Sequence, residues 1–304
     1  MARKLHLPFV VTSRNNAPVR KRAASHPPAP MRPRDVRKAI ERVPEIAPPK
    51  VVILAGGRGT RLAEETEVRP KPMVEIGGRP ILWHILKHFG HYGYREFVVA
   101  LGYRGEDIKR YFLDRRRLSG DMTLELTNGK LERHGGEAED WTVHLIDTGR
   151  DTLTGGRVKR LAPKISDGTF LVTYGDGLSD IDLNALVKFH KECGRLATVT
   201  AVRPPARFGS LSFDGPLVAR FSEKTQTDAG WINGGFLVFE PQVLDRFPGT
   251  DCSLESEVLE RLAADGQLAA YRHEGFWQCM DTVRDKQLLE NLWLSPHAPW
   301  KVWE

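Results

Sequence analysis

The chain has 304 residues, 45 Lys and Arg against 39 Asp and Glu, and 40 % apolar residues, enough for one large α/β domain or two small ones. No apolar run approaches the about 18 residues of a membrane span, and no apolar stretch with a small-residue cleavage site opens the chain, which argues against secretion. Cys193, Cys252 and Cys279 are odd in number and widely spaced, a pattern of reduced cytoplasmic thiols rather than a disulfide frame or a zinc site.

In chain order, the first 50 residues come first and concentrate the charge. They hold 12 Lys and Arg, 3 Asp and Glu, and nine of the 20 prolines, whereas the remainder holds 33 basic and 36 acidic residues. Residues 1–49 are therefore expected to form a disordered basic, proline-rich extension. A solvated tail, or a start assigned ahead of Met31, is one reading of it. A tether to nucleic acid or anionic lipid is a second, and an organelle transit peptide a third. Function has to be read from the rest.

From Lys50 onward, "VVILA" (51–55), "FVVALG" (97–102), "FLVTYG" (170–175) and "ATVTAV" (197–202) have the Val-, Ile- and Phe-rich texture of buried strands. Helical patterns lie between them. "PILWHILKHFGHYG" (80–93) opens on proline and closes on glycine, and "DLNALVKFHKECG" (182–194) opens on an aspartate cap. This alternation predicts a three-layer α/β fold, a mostly parallel mixed sheet with helices on both faces. After residue 205 a hairpin around Asp214-Gly215-Pro216 and the strands in "WINGGFLVFEP" and "QLAAYRHEGFWQCM" predict a smaller antiparallel part. Residues 50–205 are thus expected to be one part of the unit and 206–304 the other.

The loop after the first strand is the place where an open parallel sheet binds ligands. "VVILAGGRGTRLAEETEVRPKPM" places Gly56, Gly57 and Gly59 there, so backbone N–H groups can approach an anion, and Arg58 and Arg61 add charge. It is not a Walker loop, since no lysine follows at the required spacing. Nor is it a dinucleotide fingerprint, since Leu62 stands where a third small residue belongs. Taken alone, the loop reads equally well as a glycine turn with surface arginines. Lys71 tips that balance, because Pro70 and Pro72 fix its backbone and reduce the entropy lost in aiming an ammonium at a ligand.

"LAGGRGTRL" followed by "PKPMVEIGGRPILWHI" resembles the nucleotide-sugar pyrophosphorylases. "EET", "DTGRDTLTGGRVKRL", "TYGDGLSD", "INGGF", "GFWQCMDTVRDK" and "APWKVWE" resemble, in order and spacing, the glucose-1-phosphate cytidylyltransferases among them. The resemblance covers about residues 50–304. It implies a Rossmann-like nucleotidyltransferase fold and a reaction between CTP and glucose 1-phosphate that yields CDP-glucose and pyrophosphate. The sugar-phosphate oxygen would attack the α-phosphorus directly. That nucleophile is already anionic, so positioning and positive charge carry the catalysis and no general base is required.

By motif, the resemblance implies that Leu54, Ala55, Gly56, Gly57, Arg58, Gly59, Thr60 and Arg61 cradle the nucleotide, with Gly175 passing close to it. Arg61 would meet the phosphates, and Lys71 would neutralise the α-phosphate and the incoming sugar phosphate. Thr152 and Arg157 match substrate-binding positions. Glu223 and Lys224 match the sugar-phosphate pair, and Asn233 and Gly234 would lie against the sugar. Asp176, between glycines at a strand's end, and Asp281, ahead of a helical "VRDKQLLENLW", would hold Mg²⁺, making Lys71, Arg61 and Asp176 the catalytic set. Read without the resemblance, Asp176 stands open between a metal ligand and a turn aspartate, and Asp281 between a metal ligand and a helix cap. The resemblance also implies a cytoplasmic homo-oligomer, hexamers included, that needs neither membrane nor nucleic acid.

Three positions depart from the family pattern. Arg69 stands for a lysine, Thr225 for a proline after Lys224, and Cys279 for a proline before Asp281, which predicts a less stiff Asp281 loop. His84, His88 and His91 are expected to pack or to face solvent. Trp293, Trp300 and Trp303 are expected to pack, within the chain or at a subunit contact, and Arg115–Arg117 to form a solvated edge.

Overall fold

The structure is a computed structural model that describes residues 48–136, 139–204, 210–214, 216–222 and 230–304. The expected extension as far as residue 47, the Glu223–Lys224 pair and Thr225 lie outside the described residues.

The strands, in chain order, are β1 (Lys50–Ala55), β2 (Glu75–Ile76), β3 (Arg79–Pro80), β4 (Glu96–Leu101), β5 (Asp121–Glu125), β6 (Lys130–His134), β7 (Thr142–Asp147), β8 (Phe170–Tyr174), β9 (Gly177–Ser179), β10 (Ala197–Val202), β11 (Ser210–Asp214), β12 (Leu217–Ser222), β13 (Ile232–Phe239), β14 (Leu268–His273) and β15 (Trp277–Cys279). The helices are α1 (Ala63–Thr66), α2 (Ile81–His91), α3 (Gly105–Leu118), α4 (Thr154–Arg160), α5 (Ala162–Ile165), α6 (Leu183–Cys193), α7 (Glu260–Ala264) and α8 (Val283–Leu294).

Seven strands form one sheet in the order β14-β10-β13-β8-β1-β4-β7. β1 pairs in parallel with β4 and β8, β4 with β7, and β10 with β14; β13 runs antiparallel to both β10 and β8. The expected antiparallel part is therefore β13, set inside the main sheet, together with the small ribbons β11–β12 and β9–β15.

Alternation explains why both faces are covered. Val51, Ile53 and Ala55 of β1 point into a core shared with α2, α6 and the C-terminal Trp300 and Trp303. Val52 and Leu54 point into the opposite core with Val158, Leu161, Ile165, Val258 and Leu262. A strand buried on both faces reads as a continuous apolar run, and "VVILA" does. No helix among the described residues is long and apolar enough to cross a membrane.

Two features place the site. The order of strands reverses at β1, since the chain proceeds to β4 on one side and later returns to β8 on the other. The carboxyl ends of β1 and β8 therefore open the crevice where such sheets bind ligands. The second feature is the β9–β15 pair, in which Cys279 faces Gly177 and Gln278 faces Leu178. It draws a late segment of the chain back onto the end of β8.

Candidate active site

The loop from Gly56 to Thr60 leaves β1 and enters a 3₁₀ turn at Thr60–Leu62. Beneath it lies Arg157, only 4 % exposed, carried by α4. Its guanidinium donates to the carbonyls of Leu101, Gly149, Gly56 and Arg150 and to the Thr148 hydroxyl, at 2.7–3.2 Å. A Cβ at Gly56 would stand 2.2 Å from the guanidinium carbon, so the glycine makes room for this fastening. Burial and then Arg160 lower the Arg157 pKa. Among the described residues no hydrogen bond joins the guanidinium to a carboxylate, and the nearby Asp147 and Asp151 carboxylates offset part of its charge.

Lys71 begins a 3₁₀ turn whose N-cap is Pro70, in extended backbone. Its Nζ donates to Asp176 Oδ2 at 2.5 Å and to Asp281 Oδ1 at 2.7 Å. Arg61 donates to the other Asp281 oxygen at 2.6 Å. Burial works against the Lys71 ammonium, but the two carboxylates outweigh it and hold its pKa above the ordinary lysine value. Burial likewise works against the Asp281 carboxylate, while Lys71 and Arg61 hold its pKa below the usual range. Four groups from three distant stretches of sequence thus meet at one point.

Backbone and capping bonds fix both aspartates. The Met280 N–H donates to the Asp176 carbonyl at 2.9 Å, tying the two loops directly. Asp285 accepts from the Asp281 N–H at 3.1 Å and completes a capping box with Thr282 at the start of α8. The Asp281 loop is thus fastened at both sides by hydrogen bonds. The Cys279 Sγ lies 3.7 Å from Asp281, and burial beside these carboxylates pushes its thiol up to about 12.

Among the described residues, no group of three or more His, Cys, Asp or Glu converges to hold a metal. Asp176 and Asp281 nevertheless suit a hard divalent cation. Such an ion takes one or two carboxylates and completes its shell with phosphate oxygens and water, and both side chains already turn an oxygen toward one cationic nitrogen.

The cavity above these groups has a volume of about 510 Å³, within the usual range for small-molecule sites. Leu54, Ala55, Gly56, Gly57, Gly59, Thr60, Arg61, Lys71, Thr152, Arg157, Gly175, Asp176 and Asp281 all line it. Gly175 packs where a Cβ would stand 3.0 Å from the Leu54 carbonyl oxygen and from Pro72. Arg58 is not in the lining; its exposed guanidinium pairs with Asp151 at 2.6 Å. Asn233 and Gly234, at the start of β13, are not in the lining either. Asn233 accepts from the Gly235 N–H at 2.8 Å, and the Gly234 carbonyl accepts from the Trp277 indole at 2.7 Å.

A model of the family described as nucleotidyl transferase matches residues 50–290, most of the chain.

The chain belongs to the nucleotidyl transferase family.

Among nucleotidyl transferases, the glucose-1-phosphate cytidylyltransferase of Salmonella typhi is 49 % identical over 84 % of this chain and 100 % of that protein. The catalytic subunit beta of Danio rerio mannose-1-phosphate guanylyltransferase is more distant, 31 % identical over 80 % of this chain and 63 % of that protein. The crystal structure of HddC from Yersinia pseudotuberculosis shares the fold, with 22 % identity, a TM-score of 0.58, and coverage of 80 % of this chain and 99 % of that one.

Pro72, expected to brace Lys71, also lines the cavity, as do Leu153, Thr154, Tyr174, Ser253 and Glu255, which sequence reasoning did not single out. Tyr174 and Leu153 adjoin residues it did name, Gly175 and Thr152. Glu255 lies in "CSLESEVL", whose acidic and apolar residues read as an ordinary solvent-facing helix, so nothing in the pattern marks it. His84 and His88 are core residues, hydrogen-bonded to the Ile76 and Ile181 carbonyls at 2.9 and 3.0 Å. Trp293 and Trp300 pack against His84 within the chain.

Proposed function

We propose that this nucleotidyl transferase moves a cytidylyl group from CTP to glucose 1-phosphate, releasing pyrophosphate. The observation that carries the reading is the 49 % identity to the Salmonella typhi cytidylyltransferase, over 100 % of that protein's length. The convergence of Lys71, Asp176, Asp281 and Arg61 beneath a glycine loop supports it.

A phosphate oxygen of glucose 1-phosphate forms a bond to the α-phosphorus of CTP as the bond from that phosphorus to the bridging oxygen breaks, and the electron pair leaves with pyrophosphate. Two polyanions must be brought together, so positive charge and fixed N–H donors are the main requirement. In this reading the Gly56–Thr60 backbone and Arg61 receive the triphosphate, while Arg157 holds the loop in shape from below. The Lys71 ammonium neutralises the α-phosphate and the incoming sugar phosphate. Asp176 and Asp281 would hold Mg²⁺, which supplies Lewis-acid charge on the phosphate oxygens when bound. Asn233 and Gly234 lie on the strand beside β8 and form the hexose side, with Glu223 and Lys224 assigned there by motif alone.

Residues from about 50 to 304 form the catalytic unit in this reading, and 1–49 is accessory. The chain works in the cytoplasm as a closed homo-oligomer. The β5–β6 ribbon supports the last point. It alternates cleanly, so Met122, Leu124, Leu131 and Arg133 share one face, and the three apolar side chains are 41–52 % exposed.

The test supplies the full chain with Mg²⁺, glucose 1-phosphate and each nucleoside triphosphate in turn, and follows pyrophosphate. CTP should give the largest kcat/KM. Turnover with UTP or dTTP and none with CTP would overturn the reading.

A further inference from the structure

Glu255 stands on a π-helical turn, Leu254–Leu259, in the wall of the cavity. One carboxylate oxygen accepts from the Tyr174 hydroxyl, and the other from Thr154 Oγ1 at 2.7 Å and Ser253 Oγ at 2.9 Å. Its own backbone N–H is a further donor. A carboxylate has about four acceptor positions, so none is left for a ligand. Burial favours the neutral form of Glu255, but these donors outweigh it and hold its pKa below the usual glutamate range. The side chain is a charged junction, and it has two arms.

The first arm is Tyr174, which ends β8 just ahead of Gly175 and Asp176. Burial and then the Glu255 carboxylate raise its pKa, so the hydroxyl keeps its proton and donates to Glu255. Its oxygen accepts in turn from the Asn233 side-chain amide, whose own carbonyl oxygen accepts from the Gly235 N–H at 2.8 Å. Gly235 makes room for the ring, since a Cβ there would stand 2.5 Å from Tyr174 Cδ2. The second arm is Thr154, the first residue of α4. Its hydroxyl donates to Glu255 and accepts from the Leu254 N–H at 2.9 Å. Close by, the Gly156 N–H donates to the Cys252 carbonyl at 3.0 Å, and a Cβ at Gly156 would stand 2.2 Å from the Thr250 carbonyl oxygen. The paired glycines of "LTGG" and "INGG" thus admit the two arms of one network. α4 also carries Arg157, which fastens the glycine loop through the Gly56 carbonyl.

We infer that Tyr174 and Glu255 are positioning residues that hold the hexose side of the site in register with the nucleotide side. In-line attack needs the reacting atoms about 3–3.5 Å apart, and a misplacement of about 1 Å can cost about 100-fold in rate. The network joins Asn233, on the hexose side, to Thr154, on the nucleotide wall, through a single carboxylate. The inference rests on the cytidylyl-transfer reading above and names the device that aligns its two substrates.

The experiment measures kcat, KM for CTP, KM for glucose 1-phosphate and Tm in the full chain and its variants. Tyr174→Phe cuts the arm to Asn233. It should lower kcat about 10-fold and raise KM for glucose 1-phosphate about 3- to 10-fold, with KM for CTP within about twofold of the wild type. Thr154→Val cuts the other arm and should show the reverse split, and Thr154→Ser, which keeps the hydroxyl, should recover most of the loss. Asn233→Ala should raise KM for glucose 1-phosphate, and Tyr174→Phe added to it should bring little further rise, because both cut the same arm. Both KM values moved alike alongside a fall in Tm, unchanged kinetics in Tyr174→Phe, or additive losses for Asn233 and Tyr174 would overturn the inference. The Asn233 and Tyr174 pair decides the matter if Thr154→Val does not fold. A wild type that turns over UTP but not CTP fails the base assignment alone, and the same split is then read with UTP.

Discussion

Lys71 shows how much a single side chain depends on what lies around it. Pro70 and Pro72 fix the backbone from which it projects, and Asp176 and Asp281 keep its ammonium charged despite burial. In the proposed reaction a lysine so placed would meet the reacting phosphate without first being ordered, which is where pre-organised charge gains over a mobile side chain. Lys71→Ala should lower kcat by about 10²- to 10³-fold at saturating substrate. A change in KM alone would instead describe binding that is uniform between ground and transition state. Asp176→Asn should also cut kcat by about two orders of magnitude or more, with a smaller effect on glucose 1-phosphate binding. Unchanged turnover of that variant in saturating Mg²⁺ would defeat the metal assignment.

At the scale of elements, the expected strands 51–55, 97–102, 170–175 and 197–202 correspond to β1, β4, β8 and β10 within a residue at each end. They were legible because each is buried on both faces and tolerates few charges. β7 was missed: "TVHLID" carries a histidine and an aspartate, and its position at the sheet edge leaves it half-exposed. The meeting of Asp176 with Asp281 was reachable through motif resemblance, not through pattern, because it depends on the non-local pairing of three-residue strands β9 and β15. Glu255 was hidden for a similar reason, since only the tertiary fold turns it from solvent toward the cavity. Helix α2 supplies an element-scale prediction. His84 and His88 are buried in it, and burial lowers the pKa of each from 6.5 to about 4. The unfolded chain then binds more protons between those values, so stability is complete above pH 6.5 and declines as pH falls toward 4. The loss is on the order of 3 kcal/mol for each histidine. The Tm should therefore drop steeply from pH 7 to pH 5, and His88→Asn should flatten that slope; a slope identical to the wild type's would contradict it.

For the whole molecule, the fold delivers to one crevice residues that are scattered along 220 positions, from Arg61 to Asp281. The central sheet supplies rigidity, and the small ribbons supply reach. One of them has no role in that crevice. The β5–β6 ribbon carries Leu124 and Leu131 opposite each other on an exposed face, and isolated two-stranded ribbons are marginal on their own. A homo-oligomer that covers this face should dissociate, in part or fully, when Leu124 is changed to Lys, as light scattering coupled to size exclusion would read directly. An unchanged mass, or a wild type that is monomeric at micromolar concentration, would assign the ribbon another purpose.

The most direct test of the account is a crystal structure of the chain with CDP-glucose and Mg²⁺. The expected result is one metal ion between the Asp176 and Asp281 carboxylates, with the Lys71 ammonium and the glycine-loop amides on the diphosphate. A metal ligated elsewhere, or a diphosphate lying away from Lys71 and the loop, would contradict it.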